Sequence, residues 1–472
     1  MTNYNFKVIV LAAGKGTRMK SCIPKVLHKI LGKTIIERVL KQVLDTGSIT
    51  EIFVVVGHQA DEVENFINKF YSESICPVIP ILQEPQLGTG DAVFRVYDKL
   101  KLFKGTVLIL CGDTPLLTSE MLAEFLDFHK KSQADLTVLS AFMESSKNYG
   151  RIIRNLSGNI EKIVEEKDAT PEEKQITEVN AGVYCLEWEK IAPAFFDLDK
   201  NNEQGEYYLT DIVQWTFEKG LKVQVYAAKN NDEIFGINSR SDLAYATYLL
   251  NSRTIKNLME NGVTVIAPEN TWISPETKIG QDTIIYPGCV IEGENIIGDN
   301  CILGPHVFIE GTVKTGNNVK MFQSKISNAK ISENCSVGPF ANIRDNVEIS
   351  NNVRIGNFVE IKNSVINEST NIAHLSYIGD AELGKDVNIG AGTITANYNA
   401  LTRQKNRTII EDNVKIGSNC VLVAPVKISE SANVAAGSVI TKDVPKNSLA
   451  IARQHQKIIE EWVNKNKQLL DK

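Results

Sequence analysis

The sequence predicts two architectures in one chain of 472 residues: an α/β Rossmann-like domain, then a parallel β-helix built from hexapeptide repeats. Three observations predict this. Up to about residue 235, short apolar runs alternate with helical patterns, as in a mainly parallel sheet with helices on both faces. After residue 262, aliphatic residues fall at every sixth position. Between the two lies a single long helical pattern. The length also exceeds what one core normally serves. The division is therefore residues 1–235, a linker helix over 236–262, the β-helix over 263–453 and a tail over 454–472.

In the N-terminal half, Phe6–Ala12, Ile52–Val56 and Thr106–Leu110 read as buried strands. Lys33–Leu44 and Ser119–Lys130 read as the helices between or after them. The linker pattern spans 239–261, with Ser239 or Ser241 as its cap and Gly262 as its stop. In the C-terminal half, a first register runs Ile273, Ile279, Ile285, Ile291, Ile297, Leu303, Ile309. Others run Ile331 to Ile361, Ile366 to Ile378, and Ile410 to Ile440. Three residues past many of these stands Asn or Gly, at 288, 300, 334, 346, 352, 413, 419 and 437. Those two residue types tolerate positive φ best. Each hexad is thus a short flat strand, an inward aliphatic and a corner, and three hexads close one coil. About 180 residues give ~10 coils and a prism of roughly 50 Å at the inter-strand spacing. The register breaks at "TANYNALTRQKNRT", so an insertion leaves the prism there as a loop. The tail from Gln454 reads as a short amphipathic helix or a frayed end.

Composition bounds the function. A net charge of −6 argues against a general nucleic-acid or membrane binder, so any phosphate ligand needs a local basic cluster. No 18-residue apolar stretch exists, and the opening run is too short for a signal peptide. The eight cysteines are scattered with no C-x-x-C pair, as expected for reduced thiols in a cytoplasmic protein.

The basic cluster is "VIVLAAGKGTRM", residues 8–19. Gly14 and Gly16 are too close for a Walker loop, and Met19 stands where the dinucleotide fingerprint needs glycine. A strand still ends here with backbone amides exposed at the small residues Ala12, Ala13, Gly14 and Gly16, and with Lys15, Arg18 and Lys25 nearby. On its own the loop is either a polyanion cradle or a basic turn at a strand end. "QEPQLGTGDAV" (83–93) adds a second glycine-rich turn with Gln83 and Gln86, whose amides can read a base edge. "LILCGDTPLL" (108–117) ends an apolar strand in Asp113, at the strand end where open α/β sheets bind ligands. Asp113 is either an oxygen ligand for a hard cation or a turn residue before Pro115.

"LAAGKGTRM" with "PKVLH" resembles the sugar-nucleotidyltransferase signature. With "QLGTG", "GDTPLL", "YGRI", "VEEKDA", "NAGVY" and "NNEQGEYYLTDI", the N-terminal half resembles the N-acetylglucosamine-1-phosphate uridylyltransferases. The hexapeptide half carries "VGPFANIR", "GNFVEIKNS", "AHLSYIGDAELGKDVNIGAGTITANYN" and "VAPV", and is similar to the acetyltransferase half of the same bifunctional bacterial enzymes. The resemblance covers nearly the whole chain. It implies an α/β Rossmann-like nucleotidyltransferase domain and a C-terminal left-handed parallel β-helix. It also implies both steps of UDP-N-acetylglucosamine synthesis, which feeds peptidoglycan and lipopolysaccharide.

For the N-terminal half the resemblance implies attack of a sugar-1-phosphate on the α-phosphorus of UTP, with pyrophosphate leaving. Arg18 and Lys25 fall on its cationic positions, and Asp113 and Asn238 on its Mg²⁺ ligands. Leu11, Ala12, Gly14, Gln83, Gly88 and Thr89 fall on nucleotide contacts; Gly150, Glu165 and Asn180 fall on sugar contacts. For the hexapeptide half it implies His374 as general base with Glu360 as its orienting partner, although a lone histidine by itself is more often structural than catalytic. Arg344, Lys362 and Tyr377 fall on the phosphate-holding positions, with Asn388 and Asn397 on sugar and amine contacts. Asn397, Tyr398, Ser418, Ala436 and Arg453 fall on acetyl-CoA contacts. A flat prism face cannot enclose a ligand, whereas three prisms side by side make grooves, so the expected assembly is a homotrimer through the β-helix. The expected partners are small-molecule substrates, with acetyl-CoA and UTP as co-substrates, and neither nucleic acid nor membrane.

The chain departs from that pattern in places. Asp91 stands where the family often has His, and Cys111 where Tyr is common. The insertion reads Asn399-Ala400 in place of Asp-Gly, and "ARQHQ" replaces Arg-x-Pro-Gln around Arg453. Two rival readings are an ADP-glucose pyrophosphorylase-like enzyme and a trimerising scaffold with a degenerate nucleotide sensor. The length of the prism with the His374–Glu360–Asn397 set opposes the pyrophosphorylase. Intact Lys25, Asp113 and Asn238 oppose the scaffold.

Overall fold

The computed structural model describes residues 6–47, 49–143 and 149–470. The chain divides into two compact units, Met1–Leu250 and Asn251–Lys472. In the N-terminal unit, the strand Phe6–Ala12 lies parallel to Ile49–Val56 on one side and to Thr106–Cys111 on the other. Val78–Leu82 extends the Ile49–Val56 side, also parallel. Because the chain fills one side and then crosses to the other, the switch point falls between the ends of Phe6–Ala12 and Thr106–Cys111. That is where ligands bind in open sheets of this kind.

Beyond Thr106–Cys111 the sheet continues through Glu178–Glu187, Leu136–Phe142 and Val223–Ala227. Glu178–Glu187 runs antiparallel to both of its long neighbours. The sequence pattern does not single out this strand, and hydrophobic periodicity carries no information on direction, so the mainly parallel sheet it predicts does not foresee the reversal. Both faces of the sheet are covered. Val8 and Val10 pack with Ile36, Val39 and Leu40. Ile9 faces the opposite core with Val93, Val96 and Trp188.

The expected helices are present over Ile35–Asp45 and Ser119–Ser132. The helix Ile35–Asp45 starts two residues later than the pattern suggests. Lys33–Thr34 pairs with Lys29–Ile30 instead, and Thr34 then caps the helix in a reciprocal box with Glu37. The connector is helical over Arg240–Glu260. Of its two candidate caps, Ser239 acts: its Oγ accepts from the Asp242 amide at 3.2 Å, and its own amide donates to the Asp242 carboxylate at 2.8 Å. Gly262 ends the turn that follows at a φ of 91°.

The C-terminal unit is a solenoid of short parallel strands. One wall is an 11-stranded sheet. The others join into a 17-stranded sheet, because strands such as Phe308–Thr315 and Lys325–Ile331 run on through a corner. The predicted inward aliphatics are buried, with Ile279 only partly so. All eight predicted corner residues have positive φ, between 54° and 77°. At the start of the solenoid Ile255 and Leu258 join its interior. Asn251 closes the opening coil, donating to the Thr271 carbonyl at 2.7 Å and accepting from the Ile273 amide at 2.9 Å. The insertion leaves the prism as a hairpin of Tyr398–Asn399 with Gln404–Lys405. The tail holds one helix, Trp462–Leu470. All eight cysteines are free thiols, five of them buried. Among the described residues no helix is long and apolar enough to cross a membrane.

Candidate functional site

At the switch point of the N-terminal unit lies a cavity of about 370 Å³. Its floor is the end of the strand Phe6–Ala12 and the loop after it, Leu11 to Gly14, and Lys15, Lys25 and Asp113 rim it. Gln83, Gly88 and Thr89 form another side. Two glycines of the loop act differently. A side chain at Gly14 would meet no atom of the chain within 4 Å, so its bareness leaves the cavity open. Gly16 is needed for conformation: its φ is 58°, and a Cβ there would stand 2.9 Å from that of Lys25. Gly88 sits at a φ of 121°, and a Cβ would come 2.5 Å from the Tyr207 carbonyl. The Gly88–Gly90 turn is therefore pressed against the Glu206–Leu209 segment, with Gly90 N donating to Tyr207 O at 2.8 Å and Leu209 N to Thr89 Oγ1 at 3.0 Å.

Lys25 pairs with the Asp113 carboxylate, and its Nζ lies 3.3 Å from Asn238 Oδ1. The two expected metal ligands, 125 positions apart in sequence, thus converge on a single cationic centre. Arg18 is exposed on the short turn Thr17–Met19 and does not line the cavity.

Gly150, Glu165 and Asn180 lie together beside this cavity. The Asn180 amide donates to the Gly150 carbonyl at 2.8 Å, and a Cβ at Gly150 would lie 3.5 Å from the Glu165 carboxylate. Cys111 links them to the cavity, which it lines while its thiol meets the Gly182 carbonyl at 3.7 Å. Burial, with the charge of Asp113, pushes that thiol up to about 12, so it is no nucleophile. Burial also raises Glu165 above the usual carboxylate range. Asp211 is pushed up to about 6 by burial first, then by Asp199, Glu165 and Asp168.

A carboxyl raised in the folded state favours folding below its ordinary value of 3.8, and that contribution is lost as pH rises through about 6. Asp211→Asn cannot ionise. It is expected to match wild type near pH 4 and to exceed it at pH 8, by on the order of 2 kcal/mol at most because the carboxyl keeps some water. Denaturant unfolding at the two pH values checks this.

In the solenoid, residues one coil apart stack. Glu360 and Tyr377 stand in register, as do Arg344 and Lys362. Arg344 donates to Glu360 at 2.7 Å and to Asp345 at 2.9 Å, and Asp345 also meets Lys362 at 3.3 Å. Those two cations hold the Asp345 carboxyl below its usual range. Asn397 is buried, donating to Asp380 and lying 3.4 Å from the Tyr377 hydroxyl. Its neighbour Tyr398 opens the exposed hairpin.

His374 ends its strand at a corner, exposed, with Nδ1 2.7 Å from Asn357 Oδ1. The orienting bond expected from Glu360 is made by Asn357, since Glu360 is held by Arg344. A carbonyl oxygen against Nδ1 suits donation from that nitrogen, which would leave Nε2 facing outward as the acceptor of a neutral ring. The same corner runs upward through backbone bonds from Gly392 to His374, Asn419 to Ala391 and Gly437 to Ser418. Ser418 and Ala436 are exposed along it, and a Cβ at Gly437 would lie 3.8 Å from Arg453 Cδ. Asn388 is not on the wall that carries Arg344 and Tyr377. It stands on the 11-stranded wall, in register with Asn371 and Lys415. The sequence does not single out Asn357, Asp345 or Asp380. Their signal is a spacing of one coil, 17 residues in each case, from residues that it does.

Residues 7–239 match the family described as nucleotidyl transferase. Residues 276–311 and 407–442 match the bacterial transferase hexapeptide family, and 325–422 a GMPPB C-terminal domain. The chain is 47% identical to the "Bifunctional protein GlmU" of Thermoanaerobacter pseudethanolicus, over 96% of this chain and 97% of the other. It is 43% identical to that of Acetivibrio thermocellus, over 97% of each. It is 46% identical to that of Halalkalibacterium halodurans, over 97% of this chain and 98% of the other. A solved UDP-glucose pyrophosphorylase complexed with UDP-glucose aligns with 52% of this chain and 97% of its own, at 19% identity and a TM-score of 0.43.

Proposed function

The chain belongs to the family of bifunctional GlmU proteins, enzymes that join a uridylyltransferase to an acetyltransferase, and from that premise we propose a site and a mechanism for each half. The substrates are nucleotides and sugar phosphates. In the β-helix, acetyl passes from acetyl-CoA to the amine of glucosamine 1-phosphate. In the α/β unit, the N-acetylglucosamine 1-phosphate so formed takes uridylyl from UTP and releases pyrophosphate. The observation that carries the reading is the cavity at the sheet's switch point, where bare backbone, Lys25, Asp113 and Asn238 converge.

Both uridylyl-transfer reactants are anions, so the barrier is mostly charge repulsion and positioning. Backbone amides at Ala12 to Gly14 and the Lys25 ammonium receive the triphosphate, and Arg18, on the surface turn outside the cavity, supplies a further cation to phosphate that extends beyond it. Leu11 packs beneath, while Gln83, Gly88 and Thr89 hold uracil and ribose. Gly150, Glu165 and Asn180 hold the sugar. The attacking phosphate oxygen is already ionised, so no protein base is required. Mg²⁺ fits the donor set: one carboxylate and one amide oxygen are as few protein ligands as this ion takes when phosphates and waters complete its shell. Held by Asp113 and Asn238, it would neutralise charge that develops on the phosphates.

In acetyl transfer, His374 Nε2 accepts a proton from the substrate ammonium. The freed amine attacks the thioester carbonyl, the C–S bond breaks, and coenzyme A leaves as the thiol after taking up a proton. Arg344, Lys362 and Tyr377 hold the sugar phosphate, displacing Glu360 and Asp345 from the two cations. Asn388 and Asn397 contact the sugar and its amine. Tyr398, Ser418, Ala436 and Arg453 lie along the coenzyme. A homotrimer is supported by the corner beside His374, where Phe340, Phe358 and Leu375 are exposed one above another and the two rings stack at 5.3 Å. A groove between copies would bring Asn388 to a site that its own wall does not complete.

The test is to assay purified protein for pyrophosphate release from UTP with N-acetylglucosamine 1-phosphate, and for thiol release from acetyl-CoA with glucosamine 1-phosphate. Both activities are expected. Gly14→Ala is expected to keep wild-type thermal stability and thiol release while raising KM for UTP about tenfold or more, because its methyl occupies phosphate space. Absence of either activity in the wild-type protein would refute the assignment of that half.

A further inference from the structure

The amide of Gln83 is held in one orientation. Its backbone is fixed by donation to the Val56 carbonyl at 2.8 Å, and its side chain is 3% exposed. Nε2 donates to the Gly88 carbonyl at 2.9 Å and to Asp91 Oδ2 at 2.8 Å. Both neighbours are acceptors only, a carbonyl and a carboxylate, so the amino group cannot turn away without facing oxygen with oxygen. Asp91 is itself 8% exposed, in the opening turn of the helix Thr89–Phe94, and its other oxygen pairs with Arg95 at 3.2 Å. No group among the described residues donates to Gln83 Oε1, and Gln83 lines the cavity. The clamp therefore leaves a lone carbonyl oxygen to the ligand.

We propose that Asp91 is a specificity-determining positioning residue that fixes the Gln83 amide with its carbonyl oxygen toward the base, so that the site selects uracil over cytosine. This rests on the reading that the cavity takes a pyrimidine nucleoside triphosphate. Uracil N3 carries a hydrogen and donates to Oε1. Cytosine N3 carries a lone pair, which meets Oε1 as oxygen meets nitrogen with no proton between them. A carboxylate at 91 cannot donate, so Gln83 cannot turn its amino group outward to accommodate cytosine. An asparagine at 91 can turn its amino group toward Gln83 and so remove one of the two acceptors, which leaves the Gly88 carbonyl alone to hold the amide and weakens the clamp.

The experiment compares kcat/KM for UTP and CTP, and calorimetric binding of each nucleotide, in wild type, Asp91→Asn and Asp91→Glu. The UTP-to-CTP ratio is expected to fall about 10- to 100-fold in Asp91→Asn, the scale of one buried hydrogen bond gained or lost. Asp91→Glu, which keeps an acceptor-only group, is expected to remain closer to wild type than Asp91→Asn. A purely structural role for Asp91 would depress both nucleotides together and leave the ratio unmoved. An unchanged ratio in Asp91→Asn, with wild type binding UTP, overturns the clamp alone. If Asp91→Asn does not fold, a wild-type preference for UTP over CTP of less than about tenfold overturns it equally. Wild-type protein that binds neither nucleotide overturns the clamp together with the reading beneath it.

Discussion

Asp113→Ala is expected to lower pyrophosphate release from UTP by about a thousandfold or more while leaving thiol release from acetyl-CoA within about twofold of wild type. The loss of pyrophosphate release follows from charge. Asp113 is the carboxylate that meets Lys25, and Asn238 offers only a neutral oxygen to the same centre. Without Asp113 the proposed Mg²⁺ site would lose its one anionic ligand, and Lys25 would lose the carboxylate that positions it. A loss of ~4 kcal/mol in the transition state corresponds to three powers of ten in rate. The sparing of thiol release follows from architecture. Asp113 lies in the Met1–Leu250 unit, and the residues assigned to acetyl transfer all lie in Asn251–Lys472. Paired assays on one preparation check both.

The converse holds for His374→Ala. Thiol release is expected to fall 10²- to 10⁴-fold, the range for removal of a general base, with pyrophosphate release unchanged. The geometry makes a finer statement. Because Asn357 Oδ1 fixes the proton on Nδ1, Asn357→Ala is expected to lower kcat by a smaller factor, roughly tenfold, through loss of the productive tautomer. The His374→Ala effect should persist across pH, since the base itself is absent. A His374→Ala protein that retains half its thiol release would show that the amine loses its proton elsewhere.

Much of this is legible in the sequence, for identifiable reasons. The hexad register is readable because every inward aliphatic reports the same geometry, and errors at one position are outvoted by its neighbours. The corners at Asn and Gly are readable because those residues tolerate positive φ. Phe340, Phe358 and Leu375 take positive φ as well, between 47° and 60°, against their local preference. The coils above and below impose it, which no single hexad announces. The same limit explains the imidazole's partner. Resemblance points to Glu360, whereas Asn357 reaches His374 because β-helix stacking sets residues 17 apart side by side. In the α/β unit, Gln83 and Asp113 stand out by motif. Arg18 groups with Lys25 by proximity in sequence, yet the Thr17–Met19 turn carries it to the surface. The reversed strand Glu178–Glu187 escapes because alternation is the same in either direction.

The most direct measurement is a crystal structure of the protein with a uridine nucleotide and Mg²⁺. Phosphates are expected against the amides of Ala12 to Gly14 and the Lys25 ammonium, with uracil N3 within hydrogen-bond distance of Gln83 Oε1. A nucleotide bound instead in the cavity lined by Phe6, Thr46 and His129, at the other end of the sheet, would contradict it.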